Sequence, residues 1–236
     1  MATHVKRQHA LGGYSTHSRY LSHRFVSRWQ SHRPQDAVVY RDLGQRPPSF
    51  INHDWVASAF TPDERREPWM KAALAESDEL VDELIAADIV VIGTPLYNFG
   101  MPAPLKTWVD QVVRIGRTVD IDDTDPFNPY VARLADRERH VVVLAARGGV
   151  NMAPGEAMAH MNYLEAHLAT AFEFIGITRI HTVAIEAQEA GGDVLAKSIA
   201  DATRKVERLV DELQVAVNAT PRNAVPARAD ALDIAK

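Results

Sequence analysis

Apolar residues fall along the chain in two patterns. The stretches DIVVIG (88–93), HVVVLAA (140–146) and Arg179 to Ile185 are short, largely apolar and rich in β-branched residues, the signature of strands. Strands without polar alternation are buried on both faces, as in a parallel sheet. Between them, apolar residues recur every third or fourth position. Tyr20, Leu21, Phe25, Val26 and Trp29 form one such stripe. Trp69, Ala73, Leu80 and Leu84 mark a helix within Pro62 to Ala87, and Leu105, Trp108, Val109 and Val112 mark another within Pro102 to Ile115. Helical spacing is also read over Pro154 to Ile175 and Asp193 to Val217, and a short strand over Ala37 to Tyr40. Asp120 to Tyr130 is polar and turn-rich. Strands separated by helices are βαβ units. The expected architecture is α/β: an open, doubly wound parallel sheet flanked by helices, in three layers. The pattern holds to Val217, so residues 1–217 are expected to form one domain. Residues 218–236, with Pro221 and Pro226, are expected to be a mobile tail.

Composition narrows the chemistry. The 236 residues include no cysteine, which excludes disulfides, thiolate nucleophiles and Cys-ligated metal centres. Apolar residues make up 46% and charged residues 24%, ordinary for a globular chain. The 26 Lys and Arg against 31 Asp and Glu give a formal charge of −5, opposite to the basic footprint of a nucleic-acid binder. No apolar run approaches the roughly 20 residues that span a bilayer. The N-terminus has no hydrophobic signal region, so the expectation is a cytoplasmic protein with neither membrane nor nucleic acid as partner. The charge is uneven: residues 1–35 hold Lys6, Arg7, Arg19, Arg24, Arg28 and Arg33 and no acid. A solvated basic helix face and an anion-binding entrance at a helix N-terminus both fit that segment.

In an open parallel sheet, ligands bind beyond the carboxyl ends of the strands. Three loops qualify. Gly12 to Ser18 (GGYSTHS) precedes a helix and offers hydroxyls and backbone N–H groups, without a Walker A or G-x-G-x-x-G fingerprint. Thr94 to Gly100 (TPLYNFG) combines rings able to stack on a flat heterocycle with an amide able to hydrogen-bond it. Ala146 to Asn151 (ARGGVN) carries paired glycines, which allow close backbone approach. No metal set is read: His160 and His167 lack a third ligand, and Asp122, Asp123 and Asp125 lack the Gly and Glu of a calcium loop.

Taken together, TPLYNFGMPAPLKTWVDQVVRIGRTV (94–119), ARGGV (146–150) and FEFIGIT (172–178) resemble the flavodoxin-like FMN-dependent NADH-azoreductases, also described as NADH:quinone oxidoreductases. The resemblance runs from about Gly12 to Val217. It implies a homodimer with one FMN per subunit and the active site at the dimer interface. It places Leu96, Tyr97, Asn98 and Phe99 against the isoalloxazine and ribityl parts of FMN. It places Ala146, Arg147, Gly148 and Gly149 along the isoalloxazine's polar edge, and Ser15 and Ser18 on the phosphate. Phe174 and Asn151 would meet substrate.

The implied reaction is ping-pong hydride transfer from NADH or NADPH through FMN to quinones or azo compounds, with no catalytic side chain required. Two departures stand out. Residues 1–10 (MATHVKRQHA) lack the buried apolar first strand of the family, and Ala146 replaces its usual serine. The alternative is a dimeric electron carrier or regulatory binding protein with weakened FMN binding.

Overall fold

The computed structural model describes residues 16–122 and 124–219. Residues 1–10, which depart from the family's first strand, Ser15, Asp123 and the expected tail from residue 220 onward lie outside the described residues.

Three parallel strands form the sheet in the order β1-β4-β5: β1 (Ile89–Pro95), β4 (His140–Ala146) and β5 (Arg179–Ile185). Pairing is in register from Ile89 with His140 to Pro95 with Ala146, and from His140 with Arg179 to Ala146 with Ile185. All seven residues of β4 are buried, as a continuous apolar run between two neighbours demands. Side chains alternate across it. Val141, Val143 and Ala145 face a core built with α3 (Pro68–Ala86), α4 (Ala103–Val112) and α5 (Leu164–Phe174). Val142 and Leu144 face a second core built with α1 (His17–His32) and α6 (Gly192–Ala219). These two cores and the sheet between them are the three layers. Among the described residues, no strand pairs with the other edge of β1.

The helical stripes of α1 and α4 bury most of the residues their spacing selects. Leu21, Phe25 and Trp29 of α1 are buried, as are Leu105, Trp108, Val109 and Val112 of α4. The basic face of α1 is neutralised rather than merely solvated. Arg24 pairs with Glu207, and Arg28 grips Asp211 through two hydrogen bonds of 2.9 and 2.7 Å. Arg19 pairs with Asp42 at 2.6 Å. Exposed pairs of this kind are screened by solvent and contribute little. The Arg24 and Arg28 pairs align α1 with α6, and Arg19 ties α1 to the loop at Asp42, rather than driving its folding.

Three expectations are corrected. Ala37 to Tyr40 forms no strand among the described residues: Val38, Val39 and Tyr40 are exposed, and no ladder from the described residues reaches them. Without a paired edge, β-branched residues have no reason to extend as a strand. Pro154 to Ile175 is not one helix, since α5 begins only at Leu164. Pro154 and Gly155, the latter at φ +85°, break the helical path before it. In the 62–87 stretch the helix starts at Pro68, and Trp69 is exposed while Leu74, Ser77, Leu80, Val81 and Leu84 are buried. The structure adds α2 (His53–Ala59), capped by the Asn52 side chain, and a small antiparallel hairpin, β2 (Val119–Ile121) with β3 (Tyr130–Ala132), around the polar 120–130 segment. No helix of the described residues is long and apolar enough to cross a membrane.

Candidate functional site

The carboxyl ends of β1 and β4 carry two of the expected loops, and the N-terminus of α1 lies beside them. Gly93 makes that approach possible. A Cβ there would sit 2.0 Å from Ser22 Oγ and 3.1 Å from the Ser18 main-chain oxygen. The first turn of α1 therefore seats directly on the strand leading into the Thr94 loop.

At the α1 N-terminus, Thr16 is the N-cap, accepting a 3.3 Å hydrogen bond from Arg19 N. Ser18 is buried, with its hydroxyl 3.4 Å from that of Thr16. The first turn contains no acid. A helix N-terminus with two hydroxyls and the positive dipole end suits an anion such as a phosphate. Thr16 was missed in the sequence. A hydroxyl residue just ahead of an apolar stripe is the signal that could have found it.

The turn after β1 is strained. Tyr97 and Gly100 exchange two backbone hydrogen bonds of 3.0 and 2.9 Å, closing a tight hairpin on Asn98 and Phe99. Both central residues have positive φ, +46° and +70°. Asn tolerates this region, but for a ring-bearing residue it is an outlier costing about 1–2 kcal/mol. The strain keeps Tyr97, Asn98 and Phe99 exposed at the sheet edge. Leu96 ties the loop to β4 through a 2.8 Å bond from its N–H to the Ala146 carbonyl.

The loop after β4 is built the opposite way. The carbonyls of Arg147, Gly148 and Gly149 are taken by Gln188, Glu189 and Ala187 N–H groups at 3.3, 3.1 and 2.9 Å. Gly148 and Gly149 keep their own N–H groups without an acceptor among the described residues. This leaves a row of backbone donors free for the polar edge of a ligand. The Arg147 side chain is 1% exposed and does not reach into the site. Its guanidinium is held by Glu186 at 2.8 Å and by Glu165. Glu186 also accepts from the N–H groups of Asn151 (3.1 Å) and Met152 (3.2 Å). Asn151, at φ +58°, stands exposed next to the paired glycines. Glu165 and Glu186 were missed because they lie 18 and 39 residues from Arg147, and no local pattern links them.

The start of α5 ties the two loops together. Tyr163 N–H donates to the Phe99 carbonyl at 2.9 Å, and the Asn162 amide donates to the Met152 carbonyl at 2.9 Å. Phe174 is elsewhere. It ends α5, with its ring edge-on to Tyr130 at 5.2 Å, where Ile175 accepts from Leu134 N–H. Along a helix of this length it stands about 15 Å from the loops. One chain does not bring Phe174 to the cluster of Ser18, Leu96 to Phe99 and Ala146 to Asn151. A cavity of about 410 Å³ lies apart from the loops, against α2 and α3, lined by Phe50, Trp55, Trp69, Glu76 and Gln111. Among the described residues, no group of three His, Cys, Asp or Glu could hold a metal ion.

A planar aromatic phosphate ester fits this arrangement. The α1 N-terminus offers an anion seat, the strained turn offers rings, and the paired glycines offer unpaired N–H donors.

Comparison with known proteins agrees. The profile of a family described as having the flavodoxin-like fold matches residues 9–210. An FMN-dependent NADH:quinone oxidoreductase of Idiomarina loihiensis is 40% identical over 84% of this chain and 82% of its own length. An FMN-dependent NADH:quinone oxidoreductase of Opitutus terrae is 43% identical over 84% of this chain and 92% of its own. The crystal structure of an azoreductase from Bacillus anthracis superposes with a TM-score of 0.73 at 25% identity, covering 84% of this chain and 92% of that one. The chain belongs to the flavodoxin-like family that includes the FMN-dependent NADH:quinone oxidoreductases.

Proposed function

We propose that this protein is an FMN-dependent oxidoreductase that passes hydride from NADH or NADPH to quinones or azo compounds. The observation that carries the reading is the convergence at one sheet edge of the α1 N-terminus, the strained Tyr97–Gly100 turn and the free N–H groups of Gly148 and Gly149. When bound, FMN supplies the two-electron chemistry, taking hydride from the nicotinamide and delivering it to the acceptor.

The chain's own residues hold and shape. Thr16, Ser18 and the positive end of α1 hold the phosphate, a role that Ser15 shares in this reading. Leu96, Tyr97 and Asn98 pack along the ribityl and ring portions, and Phe99 shields one side from water. The Gly148 and Gly149 N–H groups meet the polar edge of the ring, where negative charge builds during reduction, and stabilise it electrostatically. Ala146 contributes only backbone and shape here, and Arg147 acts from beneath the loop. Asn151, exposed beside these groups, is placed to meet the incoming donor or acceptor. Donor and acceptor would use this site in turn, which is the ping-pong order.

The working unit in this reading is a homodimer. Phe50, Phe60, Phe127, Tyr130 and Phe174 are all exposed, a quantity of aromatic surface that a lone subunit would leave wet. Phe174 is a helix length from its own loops, so it serves a site only across an interface, over the partner's flavin. An NADH-linked reaction of this kind belongs in the cytoplasm.

The purified protein should be yellow, and NADH added without oxygen should bleach it. Turnover with a benzoquinone should then follow. A colourless protein that takes up no added FMN overturns the reading. Bleaching by NADH without quinone turnover favours an electron carrier instead.

A further inference from the structure

The Arg147 guanidinium sits between two carboxylates. Glu186 follows β5, and Glu165 belongs to the first turn of α5. The Glu165 side chain is only 10% exposed. One of its oxygens, Oε2, is buried with no hydrogen-bond partner, and so is Arg147 Nε. A cluster built only to stabilise the fold would match one carboxylate to one guanidinium and satisfy its polar atoms, since each unpaired buried group costs about 1–3 kcal/mol. This cluster instead carries two carboxylates, formally one negative charge in excess, immediately beneath the Gly148–Gly149 donors.

We propose that Glu165 is a positioning residue for the hydride-transfer site. Through Arg147 it fixes the backbone of the 147–149 loop, and its excess negative charge behind that loop makes the bound cofactor a stronger reductant. This rests on the reading of the loops as a flavin site. The geometry gives the cluster both roles. Arg147 has the same side-chain parity as Val141, Val143 and Ala145, so it points from the end of β4 toward α5 and meets Glu165 there. Glu186 then locks the far end of the loop through the Asn151 and Met152 N–H groups. The α5 start that carries Glu165 also holds the Phe99 carbonyl through Tyr163 N–H, so one helix end sets the spacing of both loops. A fixed negative charge in a poorly solvated site disfavours added negative charge nearby, and reduction adds it to the flavin.

The test compares Glu165→Gln and Glu186→Gln with Glu173→Gln, an exposed carboxylate toward the far end of the same helix. Each is purified with FMN, and the midpoint potential is measured by equilibration with a reference dye, alongside FMN affinity and urea denaturation. The expected result is a more positive FMN potential in Glu165→Gln and Glu186→Gln, and an unchanged one in Glu173→Gln. A purely structural role would move the denaturation midpoint alone. A folded, FMN-loaded Glu165→Gln with the wild-type potential overturns the proposal. If Glu165→Gln does not fold, the same potential in Glu186→Gln, whose carboxylate is less buried, decides it. The two readings fail separately. A wild-type protein that takes up no FMN sinks the function, whereas a wild-type holoprotein with indifferent variants sinks only the role of Glu165.

Discussion

The Tyr97–Gly100 turn and the Arg147–Asn151 loop end neighbouring strands, yet they build the site from opposite materials. The turn spends backbone strain to hold its side chains out, with Asn98 and Phe99 both at positive φ and exposed. The loop buries its one long side chain and turns its backbone N–H groups outward. A site that must grip a flat ring and still admit a second molecule benefits from both. Projecting rings give shape and selectivity, and a rigid backbone edge gives an electrostatic contact that needs no reorganisation. The difference predicts where mutations hurt. Changes in the turn should alter binding and rate, and changes under the loop should alter stability first.

The strongest test of that contrast is Arg147→Leu. It leaves the buried Glu165 and the half-buried Glu186 without their counter-charge, a loss of about 3–5 kcal/mol. Urea denaturation should show it, and a cost below about 1 kcal/mol would mean that the buried cluster holds nothing together.

Next comes Asn98→Ala, which should weaken FMN binding by about 1 kcal/mol, roughly fivefold. Titration of free flavin fluorescence measures this, and unchanged affinity would remove Asn98 from the site.

Phe99→Gly should do the reverse of Arg147→Leu. Relief of the left-handed strain less the entropy of glycine leaves a gain of about 0.5–1 kcal/mol, together with slower quinone turnover. A variant that is less stable would show that Phe99 packs for the fold rather than for the ligand.

The smallest effect is a control at the other end of the strands. His140 and His181 face each other at 3.2 Å, and burial pushes both pKa values below the usual 6.5, with the neighbouring His140 charge adding to the effect at His181. A histidine kept neutral in the fold binds its proton more readily once unfolded. Stability is therefore full above about pH 6.5 and falls as pH drops toward the lower folded values. Glu138 at 3.2 Å from His140 and Glu212 near His181 face the pair and temper the loss, whereas the nearby Arg179 charge adds to it. His140→Gln should flatten the pH dependence of urea denaturation without changing the behaviour of either loop.

How much of this was legible in the sequence varied by element. The β4 and β5 boundaries and the four apolar buried positions of α4 were read correctly, because a doubly buried strand or a one-sided helix imposes its pattern locally. Ala37 to Tyr40 has strand preferences but no paired edge among the described residues, and that requirement is not local. α2 went unread because seven residues are too few to show a period. At the site, Leu96 to Phe99 and Gly148 to Gly149 were marked by residue type and strand-end position. The inward direction of Arg147 and the helix-length separation of Phe174 from the loops were not.

The sequence by itself determined the order of strands and helices, the burial of β4 and the loops at which a ligand would be met. Burial periodicity and strand-end position are written residue by residue, so short-range reading recovers them. Only the tertiary structure decided which groups face the ligand and which hold those groups in place. Arg147, Glu165 and Glu186 come from three different elements and meet because the sheet and α5 pack as they do. Their charge balance is a property of that packing, and no stretch of sequence contains it.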